Sequence, residues 1–198
     1  MAADPPYPPG AGAAVARRGV LMHRLLERLP EVAPAERKVA AETWLARAAS
    51  DLDGQARGEI GATETFLRFA SEQARRIEGE ILPSDAADEE IHIRRLPHGV
   101  VLGLTAWNYP SALAGRKLGP ALVAGNSFVL KAHELTPLSG LALAALAERA
   151  GIPAGVVNVV TGDGRTLGRA LVDGADMVTM TGSTRAGREI YAQGVTFN

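Results

Sequence analysis

The 198-residue sequence contains no cysteine. That absence excludes a disulfide framework, a cysteine–zinc site and any mechanism that uses a thiolate nucleophile. Long apolar runs are missing as well. None approaches the ~18 residues that a membrane-spanning helix needs, so no membrane partner is expected. A surplus of charge is also lacking, since the formal net charge is −1. No global field therefore draws the chain to nucleic acid or to an anionic bilayer. Lysine is scarce and nearly all basic residues are Arg, which together with abundant Ala reads as coding bias rather than function. A secretory leader is not apparent. The only basic pair of the first residues, Arg17-Arg18, follows the apolar stretch instead of preceding it, so a cytoplasmic protein is expected. What remains is a soluble composition, 46% apolar, long enough for one domain with a small appendage and able to bury a core.

Residues 1–18, rich in Pro, Ala and Gly, are expected to be a disordered tail. Residues 19–78 read as a helical segment. Leu21, Leu25, Leu26 and Leu29 fall at helical spacing. Val39, Trp44 and Leu45 mark a second helix over Ala35–Ala49, and Phe66, Phe69 and Ala70 define one face of a third over Thr63–Ile77. Residues 79–98 change character. Ile81-Leu82 and Ile91-His92-Ile93 flank a polar turn and predict a β-hairpin. From Gly99 onward strands alternate with helices. Strands are predicted at Val100–Leu104, Ser127–Lys131, Val156–Val160 and Asp176–Met180. The helices between them start at Pro110, with a restart at Pro120, at Pro137 behind a Thr136 cap, at Thr166 and at Thr184. Apolar strands without alternation, joined by helices, predict an α/β fold with a doubly wound parallel, Rossmann-like sheet over residues 99–193.

Four loops at predicted strand ends carry the chemistry, because ligands of open α/β sheets bind at the carboxyl edge. In Ala106-Trp107-Asn108-Tyr109-Pro110, the Asn108 amide can donate to a developing oxyanion; taken alone, it reads better as the cap of the helix that Pro110 opens. In Lys131-Ala132-His133-Glu134, a carboxylate and an ammonium can hold ribose hydroxyls and phosphate, or stand as a solvated pair. His133 has no partner at metal-ligand spacing and reads as a surface loop residue; no metal is expected. Gly162, Gly164 and Gly168 form a glycine loop one residue longer than the dinucleotide fingerprint, equally usable in any tight βα turn. Thr181-Gly182-Ser183-Thr184-Arg185-Ala186-Gly187 places small residues and a hydroxyl at a helix start, where a pyrophosphate or a plain cap is served alike. Each bland reading competes well alone; four such loops in register do not arise easily by chance.

The segments AWNYP, RKLGPALVAGNSFVLKAHELTP, GIPAGVVNVVTG and MTGSTRAG together resemble the NAD(P)-dependent aldehyde dehydrogenase superfamily, over roughly Glu64 to Ala192. RRIEGEILPSD and IHIRRLPHGVV resemble that family's lead-in to its oligomerisation hairpin, closest to the lactaldehyde and glycolaldehyde type. The resemblance implies a residue-by-residue assignment. Asn108 is similar to the oxyanion-hole Asn and Trp107 to the aromatic beside it. Lys131 and Glu134 match the adenosine-ribose pair, the carboxylate favouring NAD over NADP. Gly162 and Gly168 match the adenine-side loop, Gly182 and Ser183 the pyrophosphate turn, and Gly187 a close helix contact. Partners implied are NAD, an aldehyde, and either a second copy or a full-length paralogue.

The sequence departs from the family where Ala106 replaces a Pro and where Ala132-His133 replaces Pro-Ser. It departs most after the TGST helix. No Glu-Leu-Gly-Gly base segment, nucleophilic Cys or second Glu is present in these residues. The expectation is a partial aldehyde dehydrogenase that keeps the oxyanion donor and much of the cofactor site and is inactive alone. The alternatives are a cofactor-binding or assembly module docking through Ile91–Ile93 and, more remotely, a helix-turn-helix regulator, since LLERLPEVAPAERKVAAETWLA bears a faint resemblance to the first helices of such proteins. No recognition helix accompanies them, so no nucleic-acid partner is expected.

Overall fold

The computed structural model describes residue 36 and residues 53–194. The expected tail and the two helices placed before Asp53 lie outside those residues, apart from Glu36. In chain order the elements are α1 (Asp53–Glu72), β1 (Glu80–Pro83), β2 (Glu90–Ile93), β3 (Val100–Leu104), α2 (Pro110–Val123), β4 (Ser127–Lys131), α3 (Pro137–Arg149), β5 (Val157–Val160), α4 (Gly164–Asp173), β6 (Met177–Met180) and α5 (Thr184–Gly194).

β3 to β6 form one parallel sheet in the order β5-β4-β3-β6. The apolar runs dictate this. Val101, Leu102, Phe128 and Leu130 are all but inaccessible, which requires cover on both faces and hence helical crossovers. The chain steps outward from β3 to β4 to β5, then returns across the sheet to β6. Right-handed crossovers place α2 and α3 on one face and α4 on the other. The reversal makes a topological switch point between β3 and β6. The core lies under α2, where Ala114 and Leu118 meet Phe128 and Val101. Burying the Phe128 ring contributes roughly 1.5–3 kcal/mol.

The third predicted helix starts ten residues earlier than its periodicity indicated, at Asp53, and its buried face is different. Phe69 is 63% exposed, whereas Thr63, Ala70 and even Glu59 are buried. The partner helix sets the face. A Cβ on Gly115 would stand 2.8 Å from Thr63 Cγ2, and one on Gly119 would stand 2.7 Å from Ala70 Cβ. Two glycines one turn apart let α1 approach α2 along its small residues, and the phenylalanines fall to the flank. There Phe66 lies under the Arg116 guanidinium, 5.4 Å from its carbon to the ring centroid.

α2 does not restart at Pro120; it runs through it. The bond Pro120 cannot donate belongs to Arg116, and both residues face solvent, where water replaces it. Thr136 does sit ahead of α3, but its side chain makes no cap bond and its Oγ1 is buried without a partner among the described residues. α4 begins two residues before the predicted Thr166 because Asp163 caps it, accepting from the Arg165 amide at 3.0 Å. β1 and β2 pair antiparallel, Ile81 opposite His92 and Leu82 opposite Ile91. Every residue of that hairpin is exposed. On α3, Leu143 is buried, while Leu141 and Leu146 remain 44% and 54% exposed.

The tightest approach in the sheet is between Gly103 and Phe128. A Cβ on Gly103 would run into the ring tip of a fully buried residue. Gly103→Ala is expected to destabilise the chain by about 1–3 kcal/mol through overpacking. In a double-mutant cycle read by urea unfolding, Phe128→Leu should recover part of that loss. Strict additivity of the two changes would refute the contact as its cause.

Candidate functional site

All four strands of the sheet point the same way, so their carboxyl ends share one edge. The loops after β3, β4, β5 and β6 gather there, and they carry the residues singled out above. The backbone ties neighbouring strand ends together. Thr181 N donates to Leu104 O at 2.9 Å, and Ala132 N donates to Val160 O at 3.2 Å.

At the β4 end, Lys131 is 6% exposed, yet its ammonium is paired: Nζ donates to Glu134 Oε2 at 2.8 Å. Lys131 also reaches toward the next loop, since a Cβ on Gly164 would stand 3.5 Å from Nζ. Burial raises the Glu134 carboxyl, but the hydrogen bond from Lys131 and the charges of His133 and Lys131 outweigh it and hold the group below its ordinary value. His133 is part-buried rather than a surface residue, and its Nδ1 accepts from the Leu135 amide at 3.2 Å. Burial lowers its pKa, Glu134 opposes that, and Lys131 adds to it. The Lys131 ammonium, buried at the strand end, is thus paired with a carboxylate open to solvent. A ribose diol inserted there would accept from Lys131 and donate to Glu134 without creating an unpaired charge.

At the β5 end, Gly162 has φ +140°, a conformation that a side chain resists, and its absent Cβ leaves room for Leu167. Gly168 sits inside α4 with nothing within 4 Å of where a Cβ would be. No internal contact requires that glycine, and the space above it is open. At the β6 end, Ser183 caps α5 by accepting from the Ala186 amide at 3.2 Å, and both it and Gly182 are exposed. The cap reading of Ser183 therefore holds in the free chain, with the hydroxyl at the surface. Gly187 makes only an ordinary contact, 3.6 Å from its Cβ position to Met180 Sδ, so the close helix packing implied for it is absent. Arg185 turns along its helix to Glu189, Nη1 to Oε1 3.1 Å.

At the β3 end, Tyr109 and not Asn108 occupies the cap position of α2. The capping reading of Asn108 is thereby overturned, and its part-buried amide stands one residue further out, at the switch point beside part-buried Trp107. Two residues at this end escaped sequence reasoning. Lys117, part-buried about two turns into α2, donates from Nζ to Thr181 Oγ1 at 2.7 Å and links α2 to the β6 loop. Burial, and behind it Arg116, lowers the pKa of its ammonium. Glu59 is 3% exposed and holds the start of α2. Lys117 lies in the RKLGPAL segment and was findable by its position; a Glu on a helix carries no such signal. Among the described residues no three His, Asp or Glu side chains assemble as a metal site, and no helix is long and apolar enough to cross a membrane.

The lowered pKa values fix a pH dependence. A carboxyl whose folded value is depressed adds stability above its ordinary value, 4.5, and that stability is lost as pH falls through the folded value. A histidine held low likewise costs stability as pH falls below 6.5, because the unfolded chain binds the proton first. Both groups act in one direction, so the chain loses stability on acidification. Lys131→Met is expected to raise the Glu134 pKa, read by carboxyl carbon NMR titration; an unchanged titration would disprove the ion pair as the cause.

The sequence matches the aldehyde dehydrogenase family over residues 9–197, well upstream of the Glu64 limit of the quoted segments and across the stretch with the regulator-like resemblance. It is 52% identical over 135 residues to 3,6-anhydro-alpha-L-galactose dehydrogenase of Vibrio sp. (strain EJY3), an alignment covering 67% of this chain and 28% of that protein. It is 39% identical over 203 residues to 3-sulfolactaldehyde dehydrogenase of Pseudomonas putida, covering 93% of this chain and 42% of that one. Among solved structures, 3,6-anhydro-L-galactose dehydrogenase in complex with NAP superposes with a TM-score of 0.72 at 45% identity, covering 93% of this chain and 38% of the other. PnpE in complex with nicotinamide adenine dinucleotide superposes at 0.67 and 33% identity, covering 94% and 38%. The chain thus spans less than half the length of these relatives. With a matching parallel sheet and a family match over nearly its whole length, the chain belongs to the aldehyde dehydrogenase family.

Proposed function

We propose that these residues form the dinucleotide-binding part of an NAD-linked aldehyde dehydrogenase, with Asn108 as its oxyanion donor. The observation that carries this is the buried Lys131 ammonium, brought to the carboxyl edge of the sheet and paired there with an accessible Glu134. Burying a lysine is costly unless a partner is supplied, and this partner stands where a ribose would. Lys131 and Glu134 hold the ribose hydroxyls. The α5 start, with Gly182 and Ser183, takes the pyrophosphate at its partial positive charge. Gly162 shapes the loop and the open space at Gly168 admits the adenine side. Glu134 repels a 2′-phosphate, which favours NAD over NADP. The nicotinamide, when bound, supplies the hydride acceptor. Asn108 and Trp107 border the place where the carbonyl oxygen gains charge, and the Asn108 amide donates to it. No thiol exists in these residues to attack the carbonyl, so the chain binds cofactor without turning over aldehyde.

The experiment is a calorimetric titration of the purified chain with NAD. Saturable binding is expected, weakened about tenfold by Glu134→Ala, the size of one lost hydrogen bond to a charged group; NADP should bind more weakly than NAD. Absence of binding by a folded chain sinks the reading. In parallel, no aldehyde-dependent NADH should form, and turnover abolished by Asn108→Ala would refute inactivity.

A second reading, assembly with a like chain or a full-length paralogue, draws on the hairpin. Leu82, Ile91 and Ile93 are 40%, 49% and 39% exposed and share one face of a two-stranded ribbon, a contiguous apolar surface that a free monomer seldom presents. Sedimentation velocity should show a species larger than the monomer, dissociated by Leu82→Asp combined with Ile91→Asp. A monomer at all concentrations excludes self-assembly.

A further inference from the structure

We propose that Glu59 is the positioning residue of the oxyanion loop. This deepens the reading of Asn108 above and rests on it.

The loop Thr105–Tyr109 needs a fixed point at each end. One is β3, whose last residue, Leu104, is paired to Lys131 on one side and Met180 on the other. The other is the start of α2, where the backbone offers little of its own. A helix begins with amides that have no partner within it. Pro110, the first residue, has no N–H to satisfy. Tyr109 adopts φ −136°, ψ 66° and its side chain makes no cap. The next two amides are those of Ser111 and Ala112, both in buried residues. A carboxylate from another helix takes both. Glu59 Oε1 accepts from Ser111 N at 2.7 Å and Ala112 N at 3.2 Å, and from Ser111 Oγ at 2.5 Å. The following amide, Leu113 N, donates to Tyr109 O at 2.9 Å and closes the first turn. Every donor at the start of α2 is accounted for, and two of them depend on a residue more than fifty positions upstream.

The charge is placed to favour this. A carboxylate at a helix N-terminus meets the positive end of the peptide dipoles, and with three donors on one oxygen its burial is compensated. Glu59 is held in turn by the α1–α2 contact, where Thr63 and Ala70 seat against Gly115 and Gly119. Asn108 stands one residue before the cap position. Any tilt of the first turn of α2 passes through Tyr109 to the Asn108 amide, and an oxyanion donor works only when it is aimed before charge develops. Glu59 touches neither substrate nor cofactor; it acts through the helix start.

The test is proton–nitrogen NMR of the labelled full chain, without cofactor or aldehyde. The Asn108 side-chain amide pair is assigned by its absence in Asn108→Ser. Asn126 is the internal control. Its amide bonds to Ala121 O at 3.0 Å at the far end of the same helix. In Glu59→Ala the Asn108 pair should shift or broaden and the Ser111 and Ala112 amides should exchange about tenfold faster or more, while the Asn126 pair stays in place. An unmoved Asn108 pair, or equal displacement of both Asn pairs in a variant that folds, overturns the proposal. If Glu59→Ala does not fold, Glu59→Gln carries the same comparison. It keeps the length and one acceptor, so a smaller displacement confined to Asn108 is expected, and none would be contrary. Because the readout needs no ligand, a chain that fails to bind NAD can still show the Asn108 response, and the two readings fail separately.

Discussion

Parallel pairing on both flanks of β3 is the constraint from which the site follows. Val100 to Leu104 align with Ser127 to Lys131 on one side, and Val101 to Leu104 with Met177 to Met180 on the other. A strand so placed cannot be amphipathic, and its middle is accordingly Val, Leu and Gly with no polar residue. Parallel neighbours must be joined by crossovers, so each strand discharges its loop at one edge. The order β5-β4-β3-β6 then opens the crevice at the switch point between β3 and β6. The Lys117 ammonium spans that crevice to Thr181. Gly103 leaves room for the Phe128 ring, against which α2 packs through Ala114, Leu118 and Ala121.

Among the described residues two charged side chains, Lys131 and Glu59, are buried, and they are handled in the same way. Lys131 is neutralised by a residue three positions on in its own loop. Glu59 is neutralised by peptide dipoles and a hydroxyl from another helix. The Lys131 pair lies within one loop, and the Glu59 bonds to Ser111 and Ala112 lie within one helix contact. Burying an ion so locally costs little further ordering of the chain. It also leaves one partner, Glu134, accessible, and that accessibility separates a binding loop from a structural ion pair.

Much of this was legible in the sequence, and the illegible parts share a cause. β3 and β4 are read to the residue, because apolar runs bounded by glycine or charge leave no other reading. The hairpin follows from two β-branched runs around a polar turn. Lys131, Glu134 and Asn108 are found at strand ends because position in a βα unit is itself a signal. The errors arise where a partner element decides. Ala70 is buried as the stripe of α1 predicts, but the glycines of α2 select Thr63 beside it and leave Phe69 exposed. Thr136 has the residue type and position of a cap, yet the turn at His133 orients it otherwise. Glu59 looks like a solvated helix residue because periodicity assigns polar residues to water; only the unmet amides of α2, fifty residues away in sequence, explain its burial. Gly168 and Gly187 carry no internal demand for glycine, so what fixes them, if anything does, lies outside these contacts.

The division of labour within the fold bears on what a chain without a thiol retains. On the reading proposed above, aiming the oxyanion donor uses α1, β3 and the first turn of α2, and holding a dinucleotide uses the ends of β4, β5 and β6. Neither set includes a nucleophile, and none of the hydrogen bonds that build them needs one. In a covalent mechanism the attacking group supplies much of the rate, but cofactor affinity arises elsewhere, from contacts formed equally well in the ground state. On the reading proposed above, cofactor contacts and donor geometry do not depend on a nucleophile, and its absence bears on the chemical step.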